Sequence, residues 1–482
     1  MFYPISSALS YIRSNKSEFL RYWALLVLGS MLGIMSVYLL VNGYWQLSMV
    51  LIFILPAAIL IVKYPLLSLI IWLLLNPFLM TTPTAAERMV YWLIHRALPP
   101  ATVGFLLISH LLRIRRLPKI SPAEVAMIAY LILSQLSVVF FNPIPVATTF
   151  VFYDRFFIPM CLYWVVRFSR LEEKDLHRLL PVVLFLGLSQ AAIGILSWTA
   201  PQILREEWLQ LAGIRTTGSL VAYSVYTTTM VFSGLVVLHA ALNRKPGLAQ
   251  MVYIFVFFLA IYCVFISFSR GSWLAGVFVL LGLFFIYPRF MIKTLFIVVP
   301  VASLLVGWIF SNEVQFAYQR LNSTETALSR LPVTYASVRM FEIKPLFGWG
   351  YGNFGYYDRQ FQQRVGDLVN AEKDEASHNL YLTMLAEQGL IGFILFITPL
   401  LWWLVQSIVV IPSMPAEGFW SRKLLLLLWL VILNHFIVNN FSHMLVVFGL
   451  GMWWITLGII ANMVSAYPKA NKQIPKPVSK SI

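Results

Sequence analysis

Apolar runs long enough to cross a lipid bilayer recur along almost the whole of this 482-residue chain. Hydrophobic residues make up 60% of the sequence and charged residues only 11%, whereas roughly a quarter of the residues in a soluble domain are charged. One protein core cannot bury so much apolar surface, so lipid must be the solvent for most of it. We therefore predict an all-α polytopic membrane protein with about 14 transmembrane helices, near 23–42, 46–62, 64–81, 98–112, 122–141, 151–168, 179–200, 221–242, 251–268, 272–287, 294–310, 379–410, 424–441 and 444–465.

The basic residues predict how these helices are oriented. Most of them fall in short loops between the apolar runs, as in the cluster Arg113-Arg115-Arg116-Lys119, and cytoplasmic loops are enriched in Lys and Arg. The pattern predicts that both termini are cytoplasmic. It also accounts for the net charge of +16 without nucleic-acid binding. We expect no cleavable signal peptide, because the first apolar run is too long for one.

The polar segment 311–378 is the longest interruption of the apolar pattern. On the predicted orientation it is one large loop on the outer face, and functional residues of a protein concentrate in such loops. We accordingly divide the chain into N-terminal transmembrane helices at 1–204, a core at 205–410 that includes this loop, and a C-terminal hairpin with a basic tail at 411–482.

Two arginines stand in polar segments on this same predicted face. Arg270 lies in the short sequence Ser-Arg-Gly-Ser at 269–272, and Arg215 lies among glycines and hydroxyl residues at 212–219. A guanidinium group is always charged and binds phosphate oxygens in a bidentate manner. Both residues therefore indicate an anion site, although the pattern also fits an arginine snorkelling to the lipid headgroups or an ordinary interfacial loop.

His378 follows the acidic patch at 372–375 and begins an apolar run. A histidine can act as a general base near neutral pH, but a lone histidine at an interface is also a common amphipathic residue. Neither the acidic patch nor Cys161 and Cys263 have the spacing of metal ligands. We therefore predict no metal and no cofactor, and we interpret both cysteines as packing residues.

A turn rich in glycine and aromatic residues occupies 344–354, with alternating glycines at 348–352 around Trp349. Aromatic rings among glycines suit stacking on sugar faces, and they suit a packed turn over helix ends equally well. The turn is not flanked by the strand and helix of a dinucleotide site. Upstream, Arg339 adds positive charge and is expected to begin a short element that ends at Pro345.

These motifs, taken in order, resemble the O-antigen ligase and polymerase superfamily of bacterial membrane glycosyltransferases. The resemblance covers about 205–410 and rests on Ser-Arg-Gly-Ser at 269–272, Pro-Leu-Phe-Gly-Trp-Gly at 345–350, and Ser-His-Asn-Leu-Tyr-Leu at 377–382, which runs into Ala-Glu-Gln-Gly-Leu-Ile-Gly at 386–392. The many spans and the large outer loop between the second and third motifs match as well.

The resemblance implies a GT-C-like fold in the bacterial inner membrane. It also implies transfer of a glycan from an undecaprenyl-diphosphate carrier to an acceptor hydroxyl at the periplasmic face, where the acceptor is lipid A-core, a growing glycan or another molecule. Arg215 and Arg270 would bind the diphosphate, and His378 would be the catalytic base of a metal-independent, inverting displacement. We add as supporting candidates Arg339, Trp349, Asn379, Tyr381 and Glu387, which lie in or near these motifs.

Other functions remain open on the sequence alone. A repeat-unit polymerase or a protein oligosaccharyltransferase would share the site and differ in its acceptor. A more distant alternative is an anion transporter, for example for bicarbonate. Discontinuous helices and inverted repeats are typical of transporters, and the sequence shows no clear repeat.

Overall fold

The structure, a computed structural model, describes residues 16–44, 48, 56, 58–82, 84–209, 215–308, 311–322, 328, 330–362, 377–442 and 447–467. These residues are mostly helical and include no β-strand, which confirms the all-α prediction for the part of the chain described. The helices are α1 (Lys16–Val41), α2 (Leu66–Leu75), α3 (Ala85–Tyr91), α4 (Leu98–Leu111), α5 (Pro122–Phe141), α6 (Pro145–Phe152), α7 (Ile158–Ser169), α8 (Glu173–Thr199), α9 (Glu206–Leu209), α10 (Tyr223–Leu242), α11 (Leu248–Phe265), α12 (Arg270–Ile286), α13 (Pro288–Trp308), α14 (Ser311–Asn322), α15 (Leu331–Ile343), α16 (Phe354–Phe361), α17 (Leu380–Val410), α18 (Arg422–Val438) and α19 (Val447–Ala466).

Several of these helices are long and apolar enough to cross a membrane. The predicted run at 46–62 lies largely outside the described residues, so the total of 14 helices stays a prediction. Shorter apolar helices include α12 and the stretch Leu66–Leu79. The chain is therefore a multi-pass membrane protein. Within the described residues, seven helical stretches meet the length and hydropathy of a full span: Pro122–Phe141, Pro145–Ser169, Glu173–Thr199, Tyr223–Leu242, Leu248–Phe265, Leu380–Ser413 and Val447–Ala466.

Local sequence signals explain where individual helices begin. At α5, Ser121 precedes a proline at the first helical position, and its hydroxyl and backbone N–H both bond to the carboxylate of Glu124. Thr84 and Glu87 form the same reciprocal capping box at α3. Such boxes satisfy backbone N–H groups that have no partner within the helix.

The polar segment 311–378 contains helices in its described part. α14, α15 and α16 all lie in it, and their polar faces explain why it interrupts the apolar pattern. The expectation that an element begins at Arg339 is wrong, because α15 begins at Leu331 and ends at Ile343.

The helices group into two compact units. One comprises Met1–Ser68 with Pro100–Leu117, and the other comprises Leu69–Pro99 with Pro118–Ile482. In the first unit the hydroxyls of Ser36 and Ser48 are 2.6 Å apart and share a hydrogen bond.

Close helix contacts and a buried polar network hold the second unit together. Gly458 of α19 lies so close to α7 that an added Cβ would be 3.1 Å from the carbonyl oxygen of Tyr163, a use of small residues that is common between membrane helices. Nearby, the Glu124 carboxylate accepts hydrogen bonds from Tyr163 and from Arg167, both on α7. These three buried side chains therefore have the partners that a low-dielectric environment demands.

Candidate active site

A pocket of about 400 Å³ lies where several helix ends of the second unit meet. Arg215, Arg270 and His378 all line it, although they are far apart in the sequence. We call it the arginine pocket, since Arg320 and Arg330 also line it, and each of these side chains is half-buried. Its remaining lining residues are Tyr223, Ser269, Gly271, Ser272, Leu274, Thr334, Ser377, Asn379, Leu382, Val438, Asn440, Phe441 and Ser442.

The N-terminal ends of α10, α12, α15 and α17 border the arginine pocket. Tyr223 and Arg270 are the first residues of α10 and α12, Thr334 is in the first turn of α15, and Leu382 is in the first turn of α17. A helix N-terminus carries a partial positive charge and favours anions. The helix ends and the guanidinium groups therefore both favour binding of a negatively charged group.

Positive charge is concentrated around Arg320. Partial burial lowers the pKa of Arg320 from its usual range, and the charges of Arg215 and Arg270 lower it further. An arginine nevertheless keeps its proton at neutral pH, so these charges repel one another. An anion in the pocket would relieve this repulsion, and no Asp or Glu among the described residues lines it.

The short loop 439–442 holds several walls of the pocket together. Arg330 Nη1 donates a hydrogen bond of 2.9 Å to the Phe441 carbonyl oxygen. The Leu380 N–H donates one of 3.0 Å to the Asn439 carbonyl oxygen at the start of α17. On α12, a Cβ added at Gly271 would lie 2.6 Å from Phe441. The loop thus fixes α12, α15 and α17 relative to one another.

His378 is placed by an unusual backbone conformation directly before α17. Its φ of 55° is left-handed, a region that costs energy for residues other than glycine. The next residue, Asn379, caps the helix, because its Oδ1 accepts from the N–H groups of Tyr381 and Leu382 at 3.0 and 3.2 Å. The cap holds the chain so that His378 and Asn379 both line the pocket.

The segment around Arg215 contributes less to the pocket than its composition suggests. Residues 212–214 lie outside the described residues. Beyond Arg215, the hydroxyl of Ser219 accepts from Gln190 Nε2 at 2.8 Å, and the Ser219 N–H donates to Gln190 Oε1. Arg215 itself lies over the ring of Tyr223, 4.6 Å from its centroid. The arginine therefore enters the pocket, while the hydroxyl and N–H of Ser219 tie its segment to α8.

The glycine turn, residues 345–352, packs into a break in α17. Gly389 has a φ of 63° and interrupts the regular helix. A Cβ added at Gly348 would be 2.4 Å from the backbone carbon of Glu387, so the two backbones are in direct contact. The hydrogen bonds that join them are Trp349 N–H to Ala386 O (3.0 Å), Gly350 N–H to Glu387 O (2.6 Å), Leu390 N–H to Pro345 O (2.8 Å) and Ile391 N–H to Leu346 O (3.1 Å).

The other supporting candidates lie away from the arginine pocket. Trp349 donates its Nε1–H to the Met340 carbonyl oxygen, and the exposed Arg339 pairs with Glu342 on its own helix at 2.9 Å. Tyr381 donates its hydroxyl to the Phe436 carbonyl oxygen. The buried Glu387 accepts from the Phe354 N–H at 3.0 Å and so holds the start of α16.

Other polar residues of the sequence have structural partners or lie outside the described residues. Asp154 pairs with Arg96, at 2.6 and 2.8 Å, rather than with the adjacent Arg155. His435 is buried, and its Nδ1 bonds to the Val431 carbonyl oxygen. The acidic patch at 372–375 and His443 are not in the described part. Among the residues that are, no three His, Cys, Asp or Glu side chains form a group that could hold a metal.

Sequence reasoning did not select Arg320, which lies in the last turn of the polar helix α14. A weak signal was available, since Glu313, Ala317 and Arg320 follow a spacing of four and three residues. This spacing places them on one face of a helix, and Glu313 and Ala317 are indeed buried.

A family model described as O-antigen ligase matches residues 255–397 of the chain. The match includes Arg270, Arg320, Arg330 and His378, and it ends before the 439–442 loop. No curated protein matches the chain. The family match supports a membrane enzyme of the glycosyltransferase or ligase type, with a lipid-linked glycan and an acceptor as its partners. The predicted resemblance to the O-antigen ligase and polymerase superfamily is thus confirmed over residues 255–397, which match the O-antigen ligase family model.

Proposed function

We propose that this protein transfers a glycan from an undecaprenyl-diphosphate carrier to an acceptor hydroxyl at the periplasmic face of the inner membrane. The observation that carries the proposal is the meeting of Arg215, Arg270 and His378 in one pocket. The pocket lies where apolar helices α10, α12 and α17 begin. A phosphate-linked lipid carries its charged group at this depth, between hydrocarbon and water.

The chemistry follows from the charge that develops during transfer. The acceptor oxygen attacks the anomeric carbon, and the bond between that carbon and the phosphate oxygen breaks with its electrons staying on the oxygen. The diphosphate therefore gains negative charge, which Arg215 and Arg270 stabilise. Guanidinium groups do this work as fixed cations, so the proposed step needs no metal ion.

His378 takes the proton of the acceptor hydroxyl as the new glycosidic bond forms. A neutral imidazole is an effective base near neutral pH. His378 lines the same cavity as the arginines. A base that acts opposite the leaving group must be placed in this way. Because the acceptor displaces the diphosphate directly, the configuration at the anomeric carbon is inverted.

Related enzymes that differ in their acceptor would use the same pocket, so the experiment must identify the acceptor. A deletion strain complemented with wild type or His378→Asn is analysed for surface glycan and for undecaprenyl-linked glycan. Full-length glycan that accumulates on the carrier in the variant and is missing from its final acceptor identifies a ligase. Accumulation of single repeat units identifies a polymerase. If neither the surface glycan nor the undecaprenyl-linked glycan differs between the variant and the wild type, the transferase proposal is contradicted and transport is favoured.

A further inference from the structure

Helix α14 turns one face towards the rest of the second unit. Glu313 and Ala317 are buried on this face, and Arg320 follows them at helical spacing. The face ends at the arginine pocket, where Arg320 is part of the wall. The position of α14 therefore decides where the Arg320 guanidinium lies.

Contacts at the opposite end of this face fix the helix in place. Trp198 at the end of α8 donates its Nε1–H to Glu313 Oε1 at 3.1 Å. The ring of Phe316 meets that of Phe268 edge to face, with centroids 4.6 Å apart. Trp198 packs against both rings. This aromatic cluster of Trp198, Phe268 and Phe316 joins α14 to the hairpin turn that precedes α12.

The aromatic cluster also links the placement of Arg320 to that of Arg270. Phe268 stands two residues before Arg270, and its φ of 49° is left-handed. A residue keeps such a conformation only when its surroundings hold it there. The packing of Phe316 and Trp198 on the buried Phe268 ring supplies this support, so one cluster orients the turn and the helix that carry the two arginines.

We propose that Arg320 is a further anion-binding residue of the arginine pocket and that the Trp198–Glu313 hydrogen bond is the contact that positions it. The identity of the anion, a diphosphate, rests on the proposed function. Glu313 is 8% exposed, and a buried carboxylate that loses its donor pays a desolvation penalty. Loss of the Trp198 donor would therefore move Glu313 towards water and carry Arg320 with it.

Arg320 has a definite task in the transfer step. When the anomeric carbon–oxygen bond breaks, the leaving diphosphate gains one unit of negative charge. Arg320 adds a guanidinium beside Arg215 and Arg270, whose charges already act on it. Its attraction to the anion grows as the anion becomes more negative, so its contribution is largest when the leaving group departs.

The first test measures binding of inorganic diphosphate to the purified full-length protein in detergent, by titration calorimetry. Arg320→Gln is expected to weaken binding roughly tenfold or more, the usual effect of losing a charge-assisted hydrogen bond. Arg320→Lys keeps the charge and loses the bidentate geometry, so its affinity for diphosphate should lie between those of the wild type and Arg320→Gln. Arg339→Gln is the matched control, because Arg339 is exposed and pairs with Glu342 outside the pocket.

The second test examines positioning. Trp198→Phe keeps an aromatic ring in the cluster and removes the N–H donor, and we expect it to weaken diphosphate binding several-fold. Glu313→Gln keeps an acceptor oxygen for Trp198 and should bind like the wild type. In an Arg320→Gln background, Trp198→Phe should cause no further loss, since it acts through Arg320. If Trp198→Phe weakens diphosphate binding equally in the wild-type and Arg320→Gln backgrounds, the positioning role is overturned.

The binding assay separates this inference from the proposed function. Wild-type affinity in Arg320→Gln would overturn the role of Arg320 even if the protein transfers glycans. Diphosphate binding that depends on Arg320, in a protein that transfers no glycan, would overturn the transferase proposal and leave the anion site standing. A wild-type protein that does not bind diphosphate would contradict both.

Discussion

Backbone strain at single residues marks the edge of the arginine pocket. His378, Phe268 and Val221 have positive φ angles of 55°, 49° and 69°, and the two other such residues among those described, Arg113 and Arg170, follow the ends of α4 and α7. His378 lines the pocket, and Phe268 and Val221 each stand two residues before a lining residue, Arg270 and Tyr223. Left-handed conformations of residues other than glycine are costly and tend to persist at functional sites. The strain therefore supports the choice of this pocket over the other cavities of the protein.

The conformation of His378 predicts which substitutions the fold will accept. Asparagine tolerates the left-handed region, whereas β-branched residues do not. We expect purified His378→Asn to unfold thermally at close to the wild-type temperature. His378→Val should be less stable than His378→Asn by about 1–2 kcal/mol. Equal melting temperatures for the two variants would show that position 378 is not held in this conformation.

At the scale of elements, the docking of the glycine turn into α17 explains two sequence motifs together. The break at Gly389 frees backbone groups of α17, and residues 345–350 of the turn satisfy them. Gly348 and Gly389 approach each other's segments so closely that a Cβ on either would lie 2.4 Å from backbone atoms. The motifs at 345–350 and 386–392 are thus the two halves of one structural joint, which holds α17 behind His378.

This joint predicts a large effect of adding a single methyl group. Gly348→Ala combines a left-handed φ of 66° with a backbone clash, and we expect it to destabilise the protein by about 2 kcal/mol or more. Gly418→Ala is the matched control, because Gly418 also has a positive φ but has no atom within 4 Å of the added Cβ. The comparison is made by thermal unfolding in detergent. Similar losses in both variants would contradict the joint.

The sequence alone could identify Arg215, Arg270 and His378 as candidates because each stands at the edge of an apolar run. Hydropathy places such residues at the membrane surface, where a charged side chain is conspicuous. Arg320 was not conspicuous, since an arginine in a polar helix is usually solvated. Only the packing of α14 shows that it points into the pocket.

Other features depended on contacts that no local pattern encodes. Glycines and aromatic residues around Trp349 fit a sugar platform and a packed turn equally well, and the backbone hydrogen bonds to α17 favour the packed turn. The Asp154 carboxylate finds Arg96, 58 residues away, instead of its neighbour Arg155. Long-range pairings of this kind follow from tertiary structure, so a periodicity argument cannot supply them.

At the scale of the whole molecule, the apolar helices bring scattered residues to one place. Arg215 and Arg270 precede α10 and begin α12, and His378 precedes α17. Each element reaches the pocket with its positive N-terminal end, while α14 brings Arg320 from the polar segment between spans. The arrangement provides fixed positive charge and a base at the boundary of an apolar bundle, which is what transfer from a diphosphate-linked lipid requires.

The most direct measurement is glycan transfer by the purified protein, with an undecaprenyl-diphosphate-linked glycan as donor and a hydroxyl-bearing glycan as acceptor. Product glycan and released undecaprenyl diphosphate are quantified for wild type and for His378→Asn. The account predicts that wild type forms both products in equal amounts, and that His378→Asn stays folded and loses at least about a hundredfold in rate, as expected for a missing general base. A wild-type rate in His378→Asn would contradict the account.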